Sequence, residues 1–304
     1  MLVTGATGLV GRALCAELAR DGADFCVLSR DPARARALVP GAGSYHLWQP
    51  IERGRPWADL AERARAIVHL ASPLTGSGRW THARRQELYD ACVIGTRGVV
   101  SALAEARSRP EVLVCASSVA YYAFDASGER LSAEDDTAGQ DFLSRLAADW
   151  EAAAMHAEQF GVRTVVLRSS LVVAPEGALA QLRLAARLRM GGPVGPGSQR
   201  QPWIHVDDEV GLLRVALGDR RVSGPLNGVA PHGVSSAEFM ETLRMLLGMP
   251  PGMAQPGWLL HSRFGSGAIA VTHGRGALPA RALGLGYEFR HARLEQALHS
   301  VLAA

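Results

Sequence analysis

The sequence predicts an α/β protein built on a doubly wound parallel sheet, and three observations predict it. Short runs of consecutive apolar residues recur through roughly the first 170 positions. Segments whose apolar residues follow helical spacing separate those runs. The first run passes directly into glycines and then into a helical pattern. Strands that are apolar throughout, without alternation, belong to sheets covered on both faces, and such sheets are parallel with helices on either side.

The elements follow in order. Residues 1–5 (Met1-Leu2-Val3-Thr4-Gly5) read as a short strand running into glycine. From Val10 to Arg20 a helix sets Val10, Leu14 and Leu18 on one face, and Asp21-Gly22 closes it. Phe25-Cys26-Val27-Leu28 is a second strand. Ala66–Ala71, Val112–Ala116 and Thr164–Leu167 are three more. Helices are expected over Thr81–Ala106 and Asp141–Phe160. In the latter, Phe142, Leu146, Trp150 and Ala153 share a face and Gly161 marks the stop. Ligands of such a Rossmann-like sheet sit outside the carboxyl ends of its strands, so functional residues are expected there.

After about residue 170 the pattern changes. Gly191-Gly192-Pro193 and Gly195-Pro196-Gly197 read as an irregular loop. Ser235 with Glu238 is a capping box opening a helix to about Leu247, and Pro250-Pro251 ends it. The expected organisation is a dinucleotide-binding domain over 1–170 and a smaller C-terminal substrate lobe over 171–304. Segments from about 200–230 are expected to return to the first domain.

Composition narrows the function classes. The 304 residues are 48% hydrophobic and 20% charged, as in a packed globular protein. No stretch approaches the ~18 uninterrupted apolar residues of a membrane span, and no basic segment precedes an apolar block as in a leader. A cytoplasmic protein with no membrane partner is expected. The net charge of +3 is spread without a basic face, so no nucleic-acid partner is expected. Cys15, Cys26, Cys92 and Cys115 lack metal-type spacing and read as reduced, buried thiols; no metal site is expected. All 32 residues counted as Lys+Arg are arginine. No mechanism that needs a lysine can operate.

Thr4-Gly5-Ala6-Thr7-Gly8-Leu9-Val10-Gly11 carries a G-x-x-G-x-x-G spacing between strand and helix. Gly5 suits a tight turn and Gly8 lets backbone approach a pyrophosphate. Gly11 permits close packing of helix on strand, while the helix N-terminus favours an anion. With Thr7, Leu9 and Val10 these residues form the expected dinucleotide cradle. The end of the second strand chooses between NAD and NADP, and here it reads Ser29-Arg30-Asp31. Arg30 suits a ribose 2′-phosphate, which favours NADP(H), although Asp31 could still bond a free ribose.

With those residues in hand, the chain resembles the extended short-chain dehydrogenase/reductase superfamily, and more closely its atypical YfcH-like epimerase-family group. The resemblance spans nearly the whole chain. It rests on the glycine signature, Gly78-Arg79-Trp80-Thr81, Ala120-Tyr121-Tyr122, Asp149-Trp150-Glu151-Ala152 and Gly191-Gly192-Pro193. It continues through Pro202-Trp203-Ile204-His205-Val206-Asp207-Asp208, Asn227-Gly228-Val229-Ala230-Pro231 and Leu278-Pro279. The resemblance implies that Ser29 and Arg30 hold the adenosine ribose phosphate. It places Leu70, Ala71 and Ser72 along the pyrophosphate and ribose, Glu87 near the cofactor, and Val172 with its backbone at the nicotinamide end. His69 replaces a usual asparagine, Ser72 a glycine, and Cys92 an arginine common at the cofactor edge.

The superfamily works with Ser, Tyr and Lys, and its Tyr-x-x-x-Lys pair would fall on Leu143 and Ala147. Neither can move a proton. Ser118 matches the catalytic serine, its hydroxyl able to donate to a carbonyl, and Tyr121 and Tyr122 follow as candidate proton donors. Trp80, Trp203 and His205 are candidate substrate-pocket residues; His205 is also a second acid–base candidate, or else fixes the loop before the next helix through Asp207 or Asp208. The leading reading is an NADPH-dependent oxidoreductase acting on a small carbonyl, alcohol or conjugated alkene. The alternatives are a non-redox enzyme (cyclase, dehydratase or epimerase) and a non-catalytic NADPH-binding sensor.

Overall fold

Seven parallel strands form the main sheet of the computed structural model, in the order β3-β2-β1-β4-β5-β6-β10. The structure describes residues 1–49, 57–73, 81–125, 127–187, 192, 197–250, 252 and 274–303. The strands are β1 (Leu2–Thr4), β2 (Cys26–Ser29), β3 (Ser44–Leu47), β4 (Ala66–His69), β5 (Val112–Ser118), β6 (Arg163–Ser169) and β10 (Gly224–Gly228). All of β1, and Val112–Cys115 in β5, are buried, which is why these runs show no alternation.

Helices cover both faces. On one side α1 (Leu9–Arg20) and α8 (Val206–Gly218) bury Leu14, Leu18, Leu212 and Leu213 against Val27, Val114 and Leu167. Each fully buried leucine contributes roughly 1.5–3 kcal/mol. On the other, α6 (Phe142–Met155) sets Leu143, Leu146 and Trp150 against Cys115 and Val166. Asp141 caps α6 through Leu143 and Ser144 N–H, and Gly161 takes φ +77° at the stop. The helix expected over Thr81–Ala106 is α4 (His82–Tyr89) and α5 (Gly95–Glu105), joined by a π-helical turn at Asp90–Ile94.

Beyond β6 the chain builds a smaller layer. β7 (Leu171–Val173) pairs with β9 (Trp203–His205), and β8 (Arg200–Gln201) with β11 (Val234–Ser235). Around them α7 (Ala178–Arg187), α9 (Ser236–Leu246) and a terminal helix (Leu294–Leu302) enclose a core of Val173, Leu179, Trp203, Phe239, Leu243 and Leu298. The Ser235–Glu238 capping box is present in both directions. No helix among the described residues is long and apolar enough to cross a membrane. All four cysteines are free, and burial pushes the Cys15, Cys92 and Cys115 thiols up to about 12.

Candidate cofactor and substrate site

The glycine turn sits at the carboxyl end of β1 and is as tight as the spacing predicts. Gly5 has φ +68°, and a Cβ there would fall 2.5 Å from the Leu70 carbonyl carbon. A Cβ on Gly11 would lie 2.2 Å from the Gly5 oxygen, so only glycine lets α1 approach the turn. Gly8 is the N-cap of α1 and is exposed. No side chain caps the helix, and its first turn holds no acid. The leading N–H groups of α1 are therefore available to an anion. Thr7, Leu9 and Val10 are half-buried around them. Arg12, which sequence reasoning missed, donates to the Thr7 carbonyl and pairs with Glu176 after β7.

At the end of β2, Asp31 settles which way its carboxylate points. It caps the short helix α2 (Pro32–Leu38) by accepting from Arg34 N–H, while Ser29 Oγ donates to the Asp31 carbonyl. The carboxylate belongs to its own helix. Arg30 is exposed beside it. Leu70 and Ala71 are half-buried at the end of β4 and Ser72 is exposed, bordering the Gly5 turn. Glu87 is exposed on α4 and paired with Arg84 at 2.7 Å. Val172 is half-buried in β7. His69 is core: Nδ1 meets Thr4 Oγ1 at 2.7 Å, and burial lowers its pKa to about 4.

The turn after β5 separates the three catalytic candidates. Ser118 Oγ accepts from Ala120 N–H at 3.1 Å, capping a short 3₁₀ turn at Val119–Tyr121, and among the described residues no acceptor takes its own proton. Tyr121 is half-buried, its ring lying 3.6 Å from the Arg168 guanidinium carbon. Among the described residues no hydrogen bond engages the Tyr121 hydroxyl. Tyr122 is placed differently from Tyr121. It is wholly buried, its hydroxyl donating to Asn227 Oδ1 and accepting from Arg168 Nη1, each at 2.8 Å. Burial pushes it up to about 12.

Two arginines hold this turn, and neither was singled out from the sequence. Arg168 is gripped at two points by Glu151, which also accepts from Ser117 Oγ at 2.6 Å. Burial alone would weaken the Arg168 charge, but Glu151 holds its pKa above the ordinary value. Arg275, from the C-terminal segment, donates to the Ala120 and Tyr122 carbonyls and to Ser144 Oγ, and pairs with Asp141 at 2.9 Å. Leu143 and Ala147 of α6 are buried apolar residues.

The substrate-pocket candidates fare differently. Trp80 and most of the 191–197 loop lie outside the described residues. Trp203 is corrected from pocket wall to core: it is 0% exposed, packed among Val173, Phe239 and Leu298. His205 is likewise buried rather than facing a pocket. It caps α8 through Asp207 N–H and lies against His291, and burial holds its pKa below the ordinary value. Glu209, one turn into α8, is fully buried with Ser169 Oγ donating to Oε1, and burial raises it to about 7.

Residues 1–226 match the family model described as the NAD dependent epimerase/dehydratase family, and residues 255–301 match a domain of unknown function, DUF1731. A chloroplastic SDR39U1 homolog of Arabidopsis thaliana, an epimerase family protein, is 33% identical over 303 residues, spanning 99% of this chain and 86% of the relative. The epimerase family protein YfhF of Bacillus subtilis is 31% identical, spanning 99% of this chain and 97% of the relative. The crystal structure of human SDR39U1 (isoform 2) with NADPH is similar at a TM-score of 0.84 and 32% identity, covering 99% of this chain and 98% of that one.

Proposed function

Because the chain belongs to the NAD-dependent epimerase/dehydratase family, we propose that it is an NADPH-dependent oxidoreductase acting on a small carbonyl, alcohol or conjugated alkene. Bound NADP(H) supplies or accepts a hydride. The residues present fit it. The uncapped, acid-free start of α1 and the Gly5 and Gly11 approaches leave room and donors for a pyrophosphate. Ser29 and Arg30 are left to take a ribose 2′-phosphate because Asp31 is turned into α2.

The observation that carries the reading is Ser118. Its oxygen accepts from the chain's own Ala120 N–H at the carboxyl end of β5, which leaves the hydroxyl proton to be donated to a substrate oxygen. Tyr121 stands next to it and supplies the proton, with Arg168 and Arg275 fixing the turn that presents both. The test is direct. NADPH should bind in calorimetry more tightly than NADH, and a panel of small carbonyls and enones should yield at least one NADPH-oxidising substrate. Ser118→Ala should then lower turnover on the order of 10²-fold with cofactor affinity retained. Unchanged turnover in that variant overturns the assignment of Ser118.

One observation favours a second reading. Leu143 and Ala147 are buried and apolar where the superfamily carries its tyrosine and lysine. A chain that binds NADPH but oxidises it with no member of the panel is a cofactor-binding protein without hydride transfer. Conversion of a substrate with the nicotinamide absorbance unchanged identifies a non-redox enzyme.

A further inference from the structure

We propose that His205, Asp207 and His291 bind one divalent transition-metal ion of the zinc type, which fastens the C-terminal segment to the start of α8. His291 is 86 residues from His205 in sequence, so no spacing pattern reveals the group; the fold assembles it. Asp207 Oδ2 lies 3.6 Å from His205 Nδ1 and 3.4 Å from His291 Nε2, and the three ligand atoms lie within 4.8 Å of one another. Around a tetrahedral ion, bonds of about 2.0–2.1 Å put neighbouring ligand atoms roughly 3.3–3.5 Å apart. Two of the three spacings are already close to that. The imidazole centroids lie 3.7 Å apart with the rings tilted by 33°, so the two rings must turn for both lone pairs to meet one ion.

The surroundings orient the ligands as metal sites require. Ser300 Oγ donates its proton to the Ala297 carbonyl at 2.8 Å, so at 3.2 Å from His205 Nε2 it can only accept. Nε2 therefore carries the ring proton and the lone pair is on Nδ1, facing Asp207. A histidine that donates its far N–H to a fixed acceptor is the usual outer-shell arrangement of a metal ligand. Asp208 fixes the other partner by accepting from Arg290 N–H at 2.8 Å and His291 N–H at 2.9 Å. The His205 tautomer and the His291 backbone are thus set before any ion arrives, and the rings adjust on binding. Asp207 is half exposed, which gives an entry path and leaves a fourth position to water. Two imidazoles and one carboxylate suit zinc, cobalt(II) or nickel(II), and disfavour calcium and magnesium, which take oxygen. The ion displaces the Asp207 N–H from Nδ1, and the carboxylate of the same residue turns to meet it.

The experiment uses the full chain, free of affinity tag and treated with chelator, titrated with cobalt(II). One equivalent should give visible ligand-field absorption, zinc should displace it, and saturation with zinc should raise Tm by a few degrees. His291→Ala and Asp207→Ala should each weaken binding at least tenfold. His291 is not part of the cofactor site, so His291→Ala must keep native circular dichroism and NADPH affinity for the comparison to stand, with Asp207→Asn as the milder second variant. Absence of stoichiometric cobalt binding overturns the proposal. So does binding that persists undiminished in both folded variants, which would place an adventitious ion elsewhere.

Discussion

Arg168 and Glu151 meet at two points, Nε to Oε1 and Nη2 to Oε2, each at 2.8 Å, with both side chains withdrawn from water. Glu151→Ala leaves a buried guanidinium with no counter-charge, and breaking such a pair costs about 3–5 kcal/mol. Replacing both residues by methionine should recover most of that loss, because no unpaired charge is then buried. Denaturant unfolding of the single and double variants measures it. A loss below about 1 kcal/mol in the single variant would show that the pair does not hold the turn.

The two tyrosines should separate cleanly. Tyr121→Phe is expected to lower turnover on the order of 10²-fold, since it removes one proton donor from the site, with Tm nearly unchanged. Tyr122→Phe leaves Asn227 Oδ1 without its donor and Arg168 Nη1 with only the Glu134 carbonyl, and should destabilise by about 1–3 kcal/mol. Thermal melts beside a turnover assay distinguish them; the opposite pattern would return Tyr122 to the chemistry.

For the cofactor, Asp31 and Arg30 have opposite expectations. Asp31→Ala should cost about 1 kcal/mol through the lost α2 cap while leaving the NADPH-over-NADH preference intact. Arg30→Ala should shrink that preference about tenfold or more, as a charge-assisted contact is worth about 1.5–3 kcal/mol. Calorimetric titrations with both nucleotides decide it.

Glu209 makes stability fall as pH rises. Its pKa is about 7 in the folded chain against an ordinary 4.5, so the unfolded chain releases this proton first. Below both values the group contributes nothing. Between them the folded state loses ground, by about 3 kcal/mol in all, and above about 7 the loss is constant. Glu209→Gln should remove that slope, so its stability advantage over the parent grows between pH 5 and 8. Unfolding curves across that range measure it, and a constant difference would mean that Glu209 is charged when folded.

The strands at the heart of the sheet are legible because burial on both faces leaves an apolar run in the sequence. Edge strands are not. β3, Ser44-Tyr45-His46-Leu47, is only half-buried, and β10 contains Gly224 and Pro225, which no central strand tolerates. β10 accepts them because it lies at the sheet's edge. The glycine turn was readable for a related reason: its constraints are steric and local. Tyr121 and Tyr122 were not separable, because what distinguishes them comes from residues 46 and 105 positions away. The burial of Trp203 was not legible, because an aromatic beside a loop has the same sequence signature whether it lines a pocket or fills a core.

Arg275 also sets the order in which the protein becomes complete during synthesis. The tightest backbone approaches of the Gly5–Gly11 turn are within itself and to Leu70 and Ala71, all early in the chain. The turn bearing Ser118 and Tyr121 takes its second clasp from a residue 153 positions beyond Tyr122. At roughly 5–20 residues per second, a ribosome needs about 8–30 s to cover that distance. Throughout that interval the turn bearing Ser118 and Tyr121 is without that clasp. A product truncated before residue 275 never acquires it.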